Sequence, residues 1–456
     1  MYTSVYTFLA FVSILYAYGM EAAYFRFAAD KDSVHDKLKF SAPFILITVS
    51  SLVFSLGIVL LRAWLGGAAN PHHTESVATM NLVIELCAAI LFFDTMTILP
   101  FCSLRLQHKA VRFATIRLTY IFLQVVLNLY FVVILHAGIA GIFWGNAISS
   151  AVTFFMLTPT IAKLFSFVFS KKIIVEFLQF GLPYVPSSLS TMVLQVFDRP
   201  ILQRLTDDPT VGIYQANYRL GTIMMVFVSM FEFGWRPFFL QYASQPDAKR
   251  LFSRVLTYFS LIAAGIFLVV SFFVGDIARM NIYGNHTIID SRYWSGLSIV
   301  PIVLAAYIFN GFYTNMIVGI YIEKRTKLLP LITGAAAASN IVGNIILIPL
   351  FGIAGAAWAT FISYALMAFM IFRATQPFYP MDYEWGRIVK IGAVTLSTYV
   401  ISLAIQQFVR GTAMEAINIV LLALVGVTFF VMKFFSAGEM GVLQTMFKGF
   451  GVRQKK

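Results

Sequence analysis

Nine ionisable residues stand out among those inside stretches that are otherwise almost wholly apolar. Glu85, Asp94, Arg117 and Glu232 lie deepest, and Arg26, Asp198, Arg199, Arg219 and Arg236 lie nearer the ends. Charge inside hydrocarbon is costly, so each is a functional candidate by default. The guanidinium groups of Arg117, Arg219, Arg236 and Arg26 can pair bidentately with phosphate. Snorkelling to an interface is the plainer reading of Arg26, Arg219 and Arg236. Glu232 and Arg236 are one helical turn apart and suit an ion pair. Glu21 and Arg26, five apart, offer a second. An ion pair at an inner gate fits both better than ligand contact does. Glu85 and Asp94 share one segment but point to nearly opposite faces. A desolvated carboxylate can take up a proton and so couple an ion to a movement. Asp94 suits that role as well as it suits a core position; Glu85 reads first as a hydrogen-bonded core group. Asp198-Arg199 ends its segment and reads as structural.

The elements that position these residues are apolar helices. The chain is 59% hydrophobic and 12% charged, with mean hydropathy +0.82. Soluble domains are about a quarter charged, so hydrocarbon must solvate much of this chain. A crossing helix needs roughly 20 apolar residues. Thirteen stretches qualify: 2–27, 40–64, 78–104, 113–135, 139–162, 174–202, 212–240, 251–275, 294–320, 328–348, 354–374, 388–408 and 415–432. Cys87 and Cys102 lie on one of them, roughly 22 Å apart along a helix, too far to bridge. The first stretch lacks the basic flank and cleavage site of a signal peptide. Pro183 and Pro186, followed by Ser187, Ser188, Ser190 and Thr191, predict a kink or hinge in 174–202. The small run Gly334–Ser339 predicts close helix packing.

Lysine and arginine alternate between the two ends. Of the 33 basic residues, 23 fall on one side, counting the tail. That side is expected to be cytoplasmic, with the C-terminus on it. The net charge of +13 is therefore topology, and does not imply nucleic acid. Anionic headgroups of the bilayer favour the same face.

The chain also repeats itself. GIAGIFWGNAIS (138–149) and GIAGAAWATFIS (352–363) share seven of twelve residues, 214 apart, and Tyr2/Tyr6 match Tyr214/Tyr218 at 212. The first stretch thus corresponds to the seventh, and 174–202 has no mate. The expected class is all-α: a polytopic membrane protein of two parallel six-helix bundles plus two C-terminal helices. Thirteen spans are visible, and the first helix of a 14-helix plan is expected to be missing. The expected units are an N-terminal bundle (1–170), a C-terminal bundle (171–376), two added helices (377–435) and a basic tail (436–456). Parallel repeats facing each other across a cavity suit alternating access.

Three stretches carry a resemblance: FGLPYVPSSLSTMVLQVFDRPIL (180–202) with VGIYQANYRLG (211–221), LPLITGAAAASNIVGNIILIPLFGIAGAAWATFISYAL (329–366), and GMEAAYFRFAA (19–29). They resemble bacterial polysaccharide flippases of the multidrug/oligosaccharidyl-lipid/polysaccharide exporter superfamily. The resemblance implies movement of a polyprenyl-pyrophosphate-linked oligosaccharide across the bacterial inner membrane for O-antigen, capsule or exopolysaccharide synthesis. It implies no catalytic residue, no metal and no cofactor, a coupling proton or sodium ion, and neighbours among other polysaccharide-assembly membrane proteins. Arg117, Arg219, Arg236 and Arg26 become the pyrophosphate candidates, and Asp94, Glu85 and Glu232 those for ion coupling or gating. Tyr307, Asn310, Tyr313 and Asn315 are sugar-contact candidates. A drug/cation antiporter of the same superfamily is the near alternative. A membrane polymerase or ligase is the remoter one, because no large outer loop carries acid, base or metal groups. The chain has no GxxxxGK[ST] loop for ATP.

Overall fold

Gly138 and Gly352 explain why the motif occurs twice. Both hold left-handed backbone, φ +55° and +56°, which favours glycine because it has no Cβ. Each turns the chain sharply into a helix. Three residues on, the glycine permits close approach: a Cβ on Gly141 would meet the Phe131 Cβ at 3.0 Å, and one on Gly355 the Leu347 carbonyl at 2.1 Å. Ser149 and Ser363 are both fully buried and bond the carbonyls four residues back, at 2.8 and 2.7 Å. Trp144 and Trp358 face outward. The shared residues thus perform the same jobs in both halves.

The structure is a computed structural model and describes residues 2–28, 37–69, 76–283, 286–409, 411–432 and 434. The expected basic tail, 436–456, lies outside the described residues. The first half contains α1 (Tyr2–Ala17), α2 (Met20–Ala28), α3 (Lys37–Leu60), α4 (Arg62–Ala69), α5 (Val77–Leu106), α6 (Ala110–Leu129, continued by a wide turn to Ile134) and α7 (Gly138–Leu164). The second half contains α8 (Lys171–Gly181), α9 (Tyr184–Val196), α10 (Asp198–Leu205), α11 (Asp208–Tyr242), α12 (Ala248–Arg279), α13 (Val300–Met316), α14 (Val318–Ile322), α15 (Leu329–Phe351) and α16 (Ile353–Thr375). Helices α17 (Trp385–Gln406) and α18 (Thr412–Val431) follow and pack on α12. A hairpin of β1 (Asn281–Tyr283) and β2 (His286–Thr287) is the only sheet among the described residues.

The packing repeats as well. In the first half α5 packs on α1, α3 and α7, and α6 on α7; in the second α13 packs on their counterparts α11, α12 and α16, and α15 on α16. The all-α, many-span class holds. Among the described residues twelve helices are long and apolar enough to cross a membrane. The sixth expected span, 174–202, differs. It is three short helices, α8 to α10, parted at Leu182-Pro183 and at Phe197, where Pro183 and Pro200 lack the N–H that would serve the carbonyls of Gln179 and Val196. The first span is broken too, at Tyr18-Gly19, where Gly19 has φ +73°.

These breaks meet. A Cβ on Gly19 would lie 2.2 Å from the Gly181 carbonyl, and one on Gly181 would lie 2.9 Å from that of Tyr18. The two backbones cross in contact, and only glycine allows it. Gly181→Ala is therefore expected to lower the melting temperature in detergent by several degrees, because overpacking typically costs about 1–3 kcal/mol. Gly57→Ala, with nothing within 4 Å of the added carbon, is expected to leave it unchanged. Equal melting temperatures for both variants would refute the crossing.

Candidate functional site

Two of the cavities among the described residues hold sequence candidates. The larger of these two, about 610 Å³, is walled mainly by α9, α11 and α13, with Ala10 and Ile14 of α1 also lining it. Hydroxyl and amide groups line it: Ser187, Thr191 and Gln195 from α9, Ser229 from α11, Asn310 and Thr314 from α13. Tyr184 and Tyr313 add rings. α9 supplies its row because Ser187, Thr191 and Gln195 recur every four residues, one helical turn. The charged members are Glu232 and Arg236, which form an i,i+4 ion pair. Both side chains keep part of their surface open, 34% and 22%, so the pair faces the cavity while still bonded.

The smaller cavity, about 220 Å³, lies in the first bundle and brings together Glu21, Asp94, Arg105, Arg117 and Tyr120, with Phe233 from α11. The Arg117 guanidinium sits 4.2 Å from the centre of the Phe101 ring. That face-on placement stabilises a cation away from water.

Lysine-rich loops and helix ends mark one end of the protein, and there the bundles are joined. Phe233 lies in α11, four residues before Pro237. Proline has no N–H, so the Phe233 carbonyl loses its usual helical partner. Arg105 of α5 supplies the replacement, donating from Nη2 to the Phe233 oxygen. The same guanidinium donates to Glu21 at 3.0 Å and lies between the rings of Phe25 and Phe233, 4.5 and 3.8 Å from their centres. Arg26 donates 3.0 Å to the carbonyl of Ile322 at the end of α14. Gln241 of α11 donates to the Leu106 carbonyl at the end of α5, at 3.4 Å. Each bond uses a carbonyl at a helix end or one released by proline. Backbone oxygens are thus satisfied across the bundle interface, as a water-poor setting demands.

The sequence candidates divide accordingly. Glu232 pairs with Arg236 as the spacing implies. Glu21 does not pair with Arg26, contrary to expectation: it bonds Arg105, and Arg26 reaches across to the other bundle. Asp94 and Arg117 share the small cavity. Glu85 pairs with Arg62 near the opposite end, and Arg219 is exposed and lines neither cavity. Asp198 is fully buried, accepting from the Tyr214 hydroxyl at 2.6 Å and the Arg199 N–H at 2.8 Å, a structural setting. Asn310 and Tyr313 line the large cavity. Tyr307 instead bonds Tyr218 at 2.9 Å, and Asn315 bonds the Gly311 carbonyl. Arg105 was legible only as one more basic residue at a helix end. Its sole signal was its match to a proline-freed carbonyl on a distant helix.

A family described as polysaccharide biosynthesis protein matches residues 1–243, more than half of the chain. The chain belongs to that family. No curated protein matches it. Among solved structures, this member of the polysaccharide biosynthesis family shares its fold with transporters. An outward-facing multidrug resistance MATE family transporter of the MOP superfamily has TM-score 0.69 and 14% identity, over 85% of this chain and 87% of that one. The Vibrio cholerae MATE transporter VcmN in its bent form has TM-score 0.67 and 13% identity, over 86% and 89%. A Pyrococcus furiosus MOP superfamily transporter, described as having a binding pocket of reverse polarity, has TM-score 0.65 and 14% identity, over 85% and 86%.

Native Cys102 lines the small cavity behind Arg105 and is 2% exposed. A hydrogen bond to a charged group contributes about 1.5–3 kcal/mol. Arg105→Ala is therefore expected to speed maleimide labelling of Cys102 by at least about tenfold, while Cys87 stays unlabelled. Unchanged labelling of Cys102 would show that Arg105 does not hold this end shut.

Proposed function

We propose that the protein is a flippase. It would carry polyprenyl-pyrophosphate-linked oligosaccharide units across the bacterial inner membrane, for surface polysaccharide assembly, by alternating access. The observation that carries the reading is the 610 Å³ cavity between the bundles, lined by hydroxyls and amides with Arg236 at its charged corner. Sugars and pyrophosphate cannot enter hydrocarbon with their polar groups unpaired. Hydroxyl and amide side chains offer sugars both donors and acceptors. The lipid tail can remain in the bilayer.

Arg236 is the residue to hold the pyrophosphate, exchanging Glu232 for phosphate oxygens as cargo arrives. Arg105 and Arg26 then act as the latch of the basic end, which this reading places in the cytoplasm together with the C-terminus. Opening that end breaks their bonds to the Phe233 and Ile322 carbonyls. Asp94, beside Arg117, is the candidate site for a coupling proton or sodium ion. The family's polysaccharide role favours this cargo over drug cations, and so does an arginine in the cavity.

The test is leaflet-selective labelling of lipid-linked oligosaccharide in a host whose copy of the gene is replaced. Deletion is expected to trap completed units on the cytoplasmic leaflet. Arg236→Ala is expected to slow export by roughly 10- to 100-fold, the loss of charge-assisted phosphate bonds. Normal glycolipid export with changed sensitivity to cationic drugs would overturn the reading in favour of an antiporter.

A further inference from the structure

A third cavity lies at the basic end of the first bundle and shares no lining residue with the other two. It holds about 330 Å³, enough for a small ligand. Four helix ends meet around it: the start of α3, the end of α5, the start of α6 and the end of α7. Lys37, Lys109, Arg112 and Lys163 line it, and among the described residues no carboxylate does. None of the four forms an ion pair among those residues. Like charges gathered in this way repel, and an anion between them would relieve the repulsion.

A hydroxyl points to the same ligand. Thr160 of α7 lines the cavity and is 5% exposed, yet its Oγ1 has no hydrogen-bond partner among the described residues. Ser149, Thr153 and Thr158 of the same helix each donate to the carbonyl four residues back; Thr160 does not. A buried hydroxyl left unbonded is costly, and a ligand oxygen would supply the partner. Helix α6 opens beside it with no side-chain cap at Lys109, so its first N–H groups lack the acceptor that a cap provides. Lys109 itself is held in place: it donates to Gln107 at 2.6 Å, and Gln107 donates to the Ser103 hydroxyl at 2.8 Å.

The repeat does not demand this arrangement. His108 and Lys324 make the same left-handed turn, φ +54° and +55°, but Arg325, after the second turn, lies over the Phe378 ring at 4.5 Å. The residue 214 positions after Thr160 is Ala374, which has no hydroxyl. Membrane topology asks only for cations on this side, not for their convergence around an unbonded hydroxyl.

We propose that this cavity binds a phosphate group. Ammonium and guanidinium groups, a hydroxyl and an uncapped helix start are the donors that phosphate oxygens take. Two sources offer that chemistry at a membrane surface: the headgroup of an anionic phospholipid and free inorganic phosphate. The inference holds whatever the cargo of the larger cavity.

The test uses the full chain purified in a neutral detergent. Native mass spectrometry measures its binding of dioleoylphosphatidylglycerol against dioleoylphosphatidylcholine, and equilibrium dialysis measures binding of radiolabelled inorganic phosphate. Thr160→Val keeps the shape of the side chain and removes the hydroxyl. Lys109→Gln/Lys163→Gln changes two exposed positions and asks the question again should the buried variant fold poorly. Each is expected to weaken binding by at least about tenfold, the loss of hydrogen bonds to a charged group. Lys249→Gln/Arg250→Gln removes the same charge at the exposed start of α12 and is expected to leave binding unchanged. Variant-sensitive binding of phosphatidylglycerol alone would support the proposal with a lipid headgroup as the ligand; variant-sensitive binding of inorganic phosphate would support it with the free anion. Binding of neither probe, or losses as large in the α12 control, would overturn it.

Discussion

The joining of the two bundles at the basic end depends on a backbone oxygen that its own helix cannot satisfy. Pro237 removes the N–H that would serve the Phe233 carbonyl, and within a bundle little water is at hand to replace it. The replacement is a guanidinium from the other bundle. Arg105 is held for that task by Glu21 and by two aromatic rings, so its charge is neutralised while one edge stays free to reach across. The arrangement couples the course of α11 to the docking of α5. Arg26 on Ile322 and Gln241 on Leu106 follow the same logic at other carbonyls.

Such a seam is strong enough to join the bundles and, on the proposed function, weak enough to part. Its bonds contribute about 1.5–3 kcal/mol each where a charge takes part, and water entering the parted seam can replace them. The glycine crossing of Gly19 and Gly181 lets the broken helices touch without interlocking side chains. Next to the seam lies the Glu232–Arg236 pair, on the same helix as Phe233. A phosphate drawing Arg236 from Glu232 would therefore disturb the one turn of α11 that carries the latch. On the proposed function, cargo recognition and latch share a single helical turn, and a ligand shifts a two-state equilibrium only through such differential contact.

Features set by local rules were legible in the sequence. The twin GIAG turns need glycine at φ above zero, and the serines eleven residues on bond their own helix, so residue types alone revealed the repeat. Glu232 and Arg236 pair because four residues make one turn. Pro183 and Pro186 announced an interruption of 174–202, although not that three helices would result, nor that Gly181 would meet the backbone of Gly19 there. Contacts between bundles were illegible. Arg105 read as a topology charge and Glu21 as the partner of Arg26, because spacing along one helix says nothing about which distant carbonyl lacks a donor. Glu85 was singled out for its depth in an apolar stretch and Arg219, nearer an end, for its guanidinium, yet neither lines the two cavities described, because depth and residue type do not fix which way a side chain faces.

The most direct measurement of the central claim is the distance between the bundles at both ends, read by pulsed electron resonance. Spin labels at Lys109 and Arg250 would report the basic end, and labels at Leu61 and Arg204 the opposite end, with and without lipid-linked oligosaccharide in the bilayer. The account predicts opposed changes: cargo lengthens the distance at the basic end as it shortens the other, and Arg105→Ala produces the lengthening without cargo. Distances that stay fixed at both ends, or that lengthen together, would contradict it.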